Sequence, residues 1–179
     1  MEKVWNYVHY TIFNFYKIIY RLLSYIDPFR FLYKIPAIKN FYSKRGIEDM
    51  NQFTDDVIFN DKVSGLHSIW ASIQMGGLII LIEYGLFNIF QAILGKSLIQ
   101  IFWEPGSSYK WIFVIGLLVM PWIINERLLF KNNKYLKYFD EFDREPKKIR
   151  YKHAWISLGI IVGIITFFVL SFIPLSKVY

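Results

Sequence analysis

Three long apolar runs divide the chain, and polar, basic segments separate them. The first extends from Leu66 to Leu94. The second, Trp111 to about Leu129, reads "WIFVIGLLVMPWIINERLL", and the third, Ala154 to Leu175, reads "AWISLGIIVGIITFFVLSFIPL" and carries no charge. A bilayer crossing takes about 20 apolar residues. Hydrocarbon offers the backbone no hydrogen bonds, so each run is expected to be a helix that satisfies itself. The pattern therefore predicts an all-α integral membrane fold with three transmembrane helices. Pro121 should kink the second helix or end its regular part, and Pro174 should mark the end of the third.

The first 26 residues follow a different rhythm. At 100° per residue, Lys3, Asn6, His9, Asn14, Lys17, Arg21 and Ser24 fall on one arc, and Trp5, Val8, Ile12, Phe15, Ile19, Leu22, Leu23 and Ile26 lie opposite. This is the period of an amphipathic helix. Its cations and aromatics suit a helix lying in the membrane interface. The alternatives are that it packs on the other three as part of a bundle, or that it spans. "DPFRFLYKIPAIKNFYSKRG" continues as a second basic, aromatic segment broken by Pro28 and Pro36.

Three regions follow from this pattern. Residues 1–45 form an amphipathic, basic and aromatic membrane-interface segment. Residues 46–65, "GIEDMNQFTDDVIFNDKVSG", form a polar cytoplasmic linker with some helix. Residues 66–179 form the three-helix transmembrane domain, with a cytoplasmic connection over 126–153 that reads as helical extension and then a turn near Pro146.

Charge adds an orientation. Residues 1–65 carry Lys3, Lys17, Arg21, Arg30, Lys34, Lys39, Lys44, Arg45 and Lys62, and the 126–153 connection is equally rich in Lys and Arg. The 95–110 connection has only Lys96 and Lys110, and the tail has only Lys177. Rich and poor segments alternate as three crossings require. The positive-inside bias then expects a cytoplasmic N-terminus and an outside C-terminus, in the cell's inner membrane. The opening "MEKVWNYVHY" lacks a signal-peptide pattern, so Met1 is expected to remain. Composition agrees with a lipid-facing surface: 17 Phe, 13 Tyr and 6 Trp stand against 4 Ala. Absence of Cys excludes disulfides and thiolate metal sites.

A net charge of +7 suits nucleic acid or an anionic membrane surface. The basic residues Lys17, Arg21, Arg30, Lys34, Lys39, Lys44 and Arg45, interleaved with aromatics, have the character of a single-stranded RNA platform. Membrane crossings follow them directly, however, so anionic lipid headgroups are the expected partner and nucleic acid is not.

The chain offers few groups arranged for chemistry. His9, His67 and His153 are far apart and have no partner at metal-ligand spacing. In "FDEFDRE", Asp140 and Asp143 are i, i+3 neighbours and have the spacing to hold Mg²⁺. Asp140–Arg144, Lys137–Glu141 and Asp143–Lys147 are also i, i+4 pairs, which makes an ordinary solvated helix the expected reading. Asp55, Asp56 and Asp61 converge on nothing by spacing. Ser residues occur without a nucleophile elbow, and no Gly-rich phosphate loop exists. No cofactor, metal or catalytic residue is expected.

One carboxylate stands out. Glu83 interrupts "LIILIEYGLFNIF". Counted from Trp70 it lies roughly 20 Å into a hydrocarbon core about 30 Å thick. An ionised carboxylate there costs several kcal/mol, so Glu83 is expected to be neutral, partnered or wetted. Thr166 of the third crossing reaches a similar depth. Either Glu83 is a protonated link between helices, or it faces water in a cavity or pore. Gly159 and Gly163 form a G-x-x-x-G that permits close helix contact, and Gly76 and Gly77 on the first crossing are candidates to receive it.

These features imply a small non-enzymatic membrane protein, expected as an oligomeric component with a pore-forming or membrane-perturbing role. One alternative is an accessory or immunity-type protein that binds a partner protein. Another is a lipid-acting enzyme using the 140–145 carboxylates.

Overall fold

The computed structural model describes residues 1–27, 29–104, 106 and 108–177. It is all-helical, 82% helix, without a strand among the described residues. Three helices are long and apolar enough to cross a membrane. The described chain groups into two compact units, one of residues 1–8 with 73–179 and one of residues 9–72. The first long helix, α1 (Glu2–Leu23), contributes to both, as does α5 (Leu66–Leu94).

In the unit of residues 1–8 and 73–179, α5 coincides with the first apolar run. It ends where Gly95 adopts φ +61, a left-handed turn that favours glycine. The amides of Gly95 and Lys96 close back on the carbonyls of Ala92 and Gln91. The Gln91 side chain then accepts from the Ile99 amide at 3.1 Å, satisfying one orphan donor of the short α6 (Leu98–Phe102). Around this end Phe87, Phe102 and Phe113 pack ring to ring, with centroids 4.8 to 6.1 Å apart.

The second apolar run is α7 (Tyr109–Asn125), which continues through Pro121. A π-helical turn over Glu126–Phe130 follows, and then Asn132 and Asn133 take φ +61 and +53 and break the helix. The sequence predicts a break only near Pro146. Asparagine is among the few non-glycine residues that tolerate this left-handed conformation, so the earlier break falls on residues able to make it. Beyond it α8 (Lys134–Arg144) buries Tyr135, Phe139 and Phe142, one stripe at i, i+4 and i+7.

The third run begins earlier than its apolar residues. The basic stretch from Lys147 is already helical in α9 (Lys147–Leu170), so the turn at Glu145 and Pro146 joins two helices directly. α9 ends at Leu170, before Pro174, which sits inside the four-residue α10 (Phe172–Leu175). α5 and α9 meet closely at Gly85, where a Cβ would lie 2.6 Å from the Phe167 ring.

In the unit of residues 9–72, the expected break at Pro28 lies outside the described residues. Two short helices, α2 (Phe29–Leu32) and α3 (Pro36–Ser43), follow α1, with proline opening α3. Residues 46–65, expected as a linker, are tightly turned. Asp49 caps α4 (Met50–Phe53) by accepting from the amides of Asn51 and Gln52. A π-helical turn spans Thr54–Phe59, and Asp61 accepts from the Val63 and Ser64 amides. A Cβ on Gly65 would meet the Asp61 carbonyl at 2.4 Å, so only glycine fits. Tyr10, Ile12, Phe13, His67 and Ala71 are buried in this unit.

Candidate functional site

The polar arc of α1 goes to two fates. Asn6 and His9 have no exposed surface. The Asn6 amide donates to the Glu2 carbonyl and, at 2.9 Å, to the Leu128 carbonyl in the π-helical turn, where helical bonding runs i to i+5 and differs from the regular ladder. Trp5 Nε1 donates to Asn125 at 3.1 Å, and the Tyr7 hydroxyl donates to Glu145 at 2.7 Å. Lys134 reaches Glu2 at 2.7 Å, and Lys3 reaches Glu141 at 2.6 Å. The hydrogen bond from Lys134 holds the Glu2 carboxyl below its ordinary pKa. Tyr7 lies against the Phe142 ring, centroids 3.9 Å apart. Of the 140–145 carboxylates that the sequence offers to a lipid-acting enzyme, Glu141 pairs with Lys3 and Glu145 accepts from Tyr7. Among the described residues, no three His, Asp or Glu side chains gather as a metal site.

Residues 14–26 of α1 behave differently. Phe15, Ile18, Leu22, Leu23 and Ile26 are exposed. Lys17, Tyr20, Arg21 and Ser24, on another side, line a cavity of about 210 Å³ together with Arg30, Asp55, Asp56 and Asn60. Asp55 pairs with Arg30 and accepts from the Tyr20 hydroxyl at 2.7 Å. Burial, reinforced by the Asp55 carboxylate, pushes the Tyr20 phenol up, and the hydrogen bond with Tyr20 raises the Arg30 guanidinium further. Phe59 stacks on Tyr20 at 3.9 Å.

The structure thus brings three of the seven candidate lipid-binding cations, Lys17, Arg21 and Arg30, to one cavity. Lys34 and Lys39 line a second of about 480 Å³ with Glu48 and Asp49. Lys44 and Arg45 are exposed beyond α3, and Arg45 lies over the Phe41 ring at 4.2 Å. Sequence spacing misses Tyr20 and Asp55 as partners of Arg30. They lie ten residues before it and twenty-five after it, so no helical or hairpin period links them.

Glu83 is settled by neither expected arrangement. Both of its carboxyl oxygens are buried, and neither has a hydrogen-bond partner among the described residues. Thr166 does stand near its level: Gly85 abuts Phe167, and Asn88 donates to Ser171 at 3.0 Å. Yet Thr166 is exposed on α9. Asn88 and Ser171, buried one and a half turns further along, form the interhelical polar link instead. A carboxylate is conspicuous in an apolar run and an asparagine is not, so the sequence draws attention to Glu83 and leaves the Asn88–Ser171 link unmarked.

The glycines also separate. A Cβ on Gly159 or Gly163 would meet nothing within 4 Å, and both residues are exposed. Gly77 is similarly open, and Gly76 approaches only Asn125, at 3.9 Å. Among the described residues, Gly76 and Gly77 thus show no close approach to the G-x-x-x-G of α9. Comparison with family models, curated proteins and solved structures finds no match to this chain.

Proposed function

We propose that the chain is a non-enzymatic integral protein of the cytoplasmic membrane that works as an oligomeric component. In this reading α5, α7 and α9 cross, with the N-terminus inside and the C-terminus outside. The observation that carries the reading is how little of these helices the molecule itself covers. Only 28, 17 and 11% of the three most apolar windows is buried. Apolar area of that extent is unfavourable in water at about 25 cal/mol per Å², and a bilayer removes the cost. Alternating Lys and Arg supports the orientation. The exposed Phe31, Leu32, Ile35 and Phe41, with Lys34, Lys39, Lys44 and Arg45 among them, suit the surface of an anionic inner leaflet.

Self-association rests on α9, the least covered of the three. Its open Gly159 and Gly163 let a second helix approach closely, and the exposed Thr166 lies one turn beyond. A pore is the narrower form of this reading and needs a wetted stripe. The sealed oxygens of Glu83 favour assembly over conduction.

The test begins with membranes, from which alkaline carbonate should fail to extract the protein. Cysteines at Ser108 and Ser176 should react with an impermeant thiol reagent in intact cells, and one at Asn132 only after permeabilisation. In detergent the wild type should run larger than the Gly159→Leu/Gly163→Leu variant. A wild-type monomer would remove self-association and leave a membrane accessory protein that binds a different partner.

A further inference from the structure

The 210 Å³ cavity in residues 9–72 carries charges that sort into two groups. Arg30 and Asp55 neutralise each other through their ion pair. Lys17 and Arg21, one helical turn apart on α1, form no ion pair among the described residues, and neither does Asp56. All three line the same cavity, yet no Lys17 or Arg21 nitrogen comes within ion-pair distance of Asp56. Two unpaired cations and one unpaired carboxylate in one small space match a ligand that bears both signs.

We infer that this cavity binds a small phosphate ester carrying a primary ammonium, the phosphate at Lys17 and Arg21 and the ammonium at Asp56. A phosphate fits the cationic side because the forked guanidinium of Arg21 offers paired donors to its oxygens, and Lys17 adds a point charge. The unpaired groups sum to +1. A phosphomonoester near −2 joined to an ammonium sums to −1 and complements it. The ammonium has three N–H donors for Asp56, which a quaternary amine lacks. Size limits the ligand further, since pockets for drug-sized molecules run from about 300 to 1,000 Å³. Phosphoethanolamine free in solution has this chemistry; as a phospholipid headgroup its phosphate is a diester near −1, which keeps both contacts and gives up the extra charge. Because a soluble source suffices, the inference stands apart from the interfacial placement of this segment.

The experiment uses the full-length protein in an uncharged detergent, titrated calorimetrically with O-phosphoethanolamine, O-phosphocholine and inorganic phosphate. The wild type should bind O-phosphoethanolamine saturably and at least about fivefold more tightly than the other two, the scale of one exposed charge contact. Lys17→Gln/Arg21→Gln should weaken all three by about tenfold or more. Asp56→Asn should erase the preference for the primary amine while retaining inorganic phosphate. Unchanged circular dichroism and detergent size in the variants would show that folding is intact. Lack of saturable binding by the folded wild type, or a preference that survives Asp56→Asn, overturns the inference and leaves the carbonate and labelling results untouched. The source is then read in nanodiscs. If phosphatidylethanolamine added to phosphatidylcholine discs competes with the soluble ester, the ligand is a lipid headgroup. If it does not, the ligand is free in solution. Either result supports the phosphate–ammonium chemistry.

Discussion

The two halves of α1 carry one amphipathic pattern and put it to opposite uses. Over residues 2–13 the polar arc is buried except at Lys3: Asn6 and His9 are inaccessible, and Trp5, Asn6 and Tyr7 all donate to partners in the 125–145 region. Over residues 14–26 the cations of the same arc line a cavity, and the apolar side is exposed. Periodicity therefore reports that a helix has two faces. It does not say which face meets protein. The difference lies in what awaits the helix. Residues 2–8 meet a π-helical turn and an aromatic stripe on α8, whereas Phe15, Ile18 and Leu22 stay exposed among the described residues.

The largest break in this comparison should come from the stripe. Phe142 is fully buried and holds Tyr7 ring to ring. Phe142→Ala should cost about 3–5 kcal/mol, a lost aromatic plus the cavity it leaves. Denaturant unfolding measures the loss. Limited proteolysis should show new cleavage in the first turns of α1, whereas a Leu22→Ala control on the exposed side should change neither.

His9 supplies the next effect, through pH. Burial pushes its imidazole down to about 4 from an ordinary 6.5. The unfolded chain therefore takes up a proton near pH 6.5 that the folded chain refuses until about pH 4. The stability held above pH 6.5 falls as pH drops through this window. At about 1.4 kcal/mol per pH unit the full loss is about 3 kcal/mol. Other groups titrate in the same range, so the measurement is the difference between wild type and His9→Gln. That difference should shrink from pH 7 to pH 4. A constant difference would mean that His9 charges freely in the folded protein.

Much of the fold was legible in the residues. The bounds of α5 follow from its apolar run, and Gly95 sits where a left-handed cap is required. The break at Asn132 and Asn133 was not legible, because asparagine permits the left-handed conformation without demanding it. The burial of Asn6 was hidden for a similar reason. Its partner is the Leu128 carbonyl, a backbone group that every residue possesses and no sequence pattern marks. The candidate site was legible as positive charge in Lys17, Arg21 and Arg30. Its division into paired and unpaired groups depends on Asp55 and Asp56 arriving from a distant turn.

Two substitutions to leucine sharpen the contrast between partnered and unpartnered polar groups, with opposite signs. Asn6→Leu leaves the Leu128 carbonyl buried without its donor and should destabilise by about 1–3 kcal/mol. Glu83→Leu removes two buried oxygens that have no partner among the described residues, so it should be neutral or stabilise by up to about 2 kcal/mol. Parallel unfolding curves decide. A clear loss in Glu83→Leu would show that the carboxyl has a partner, within the chain or in a second copy.

The smallest stability effect belongs to the cavity in the second half of α1. Lys17→Gln and Arg21→Gln each remove a charge without breaking an ion pair among the described residues, so each should stay within about 0.5 kcal/mol of the wild type. Removing one of two neighbouring cations relieves some repulsion, which makes a slight gain more consistent with the geometry than a loss. The same substitutions should nevertheless reduce phosphate-ester binding. Groups that fold the molecule and groups that bind a ligand separate on this criterion, because a side chain kept unpaired for a ligand contributes nothing to the empty fold. If Arg21→Gln instead destabilised by more than 1 kcal/mol, Arg21 would be structural like Asn6, and the contrast between the two halves of α1 would be one of exposure alone.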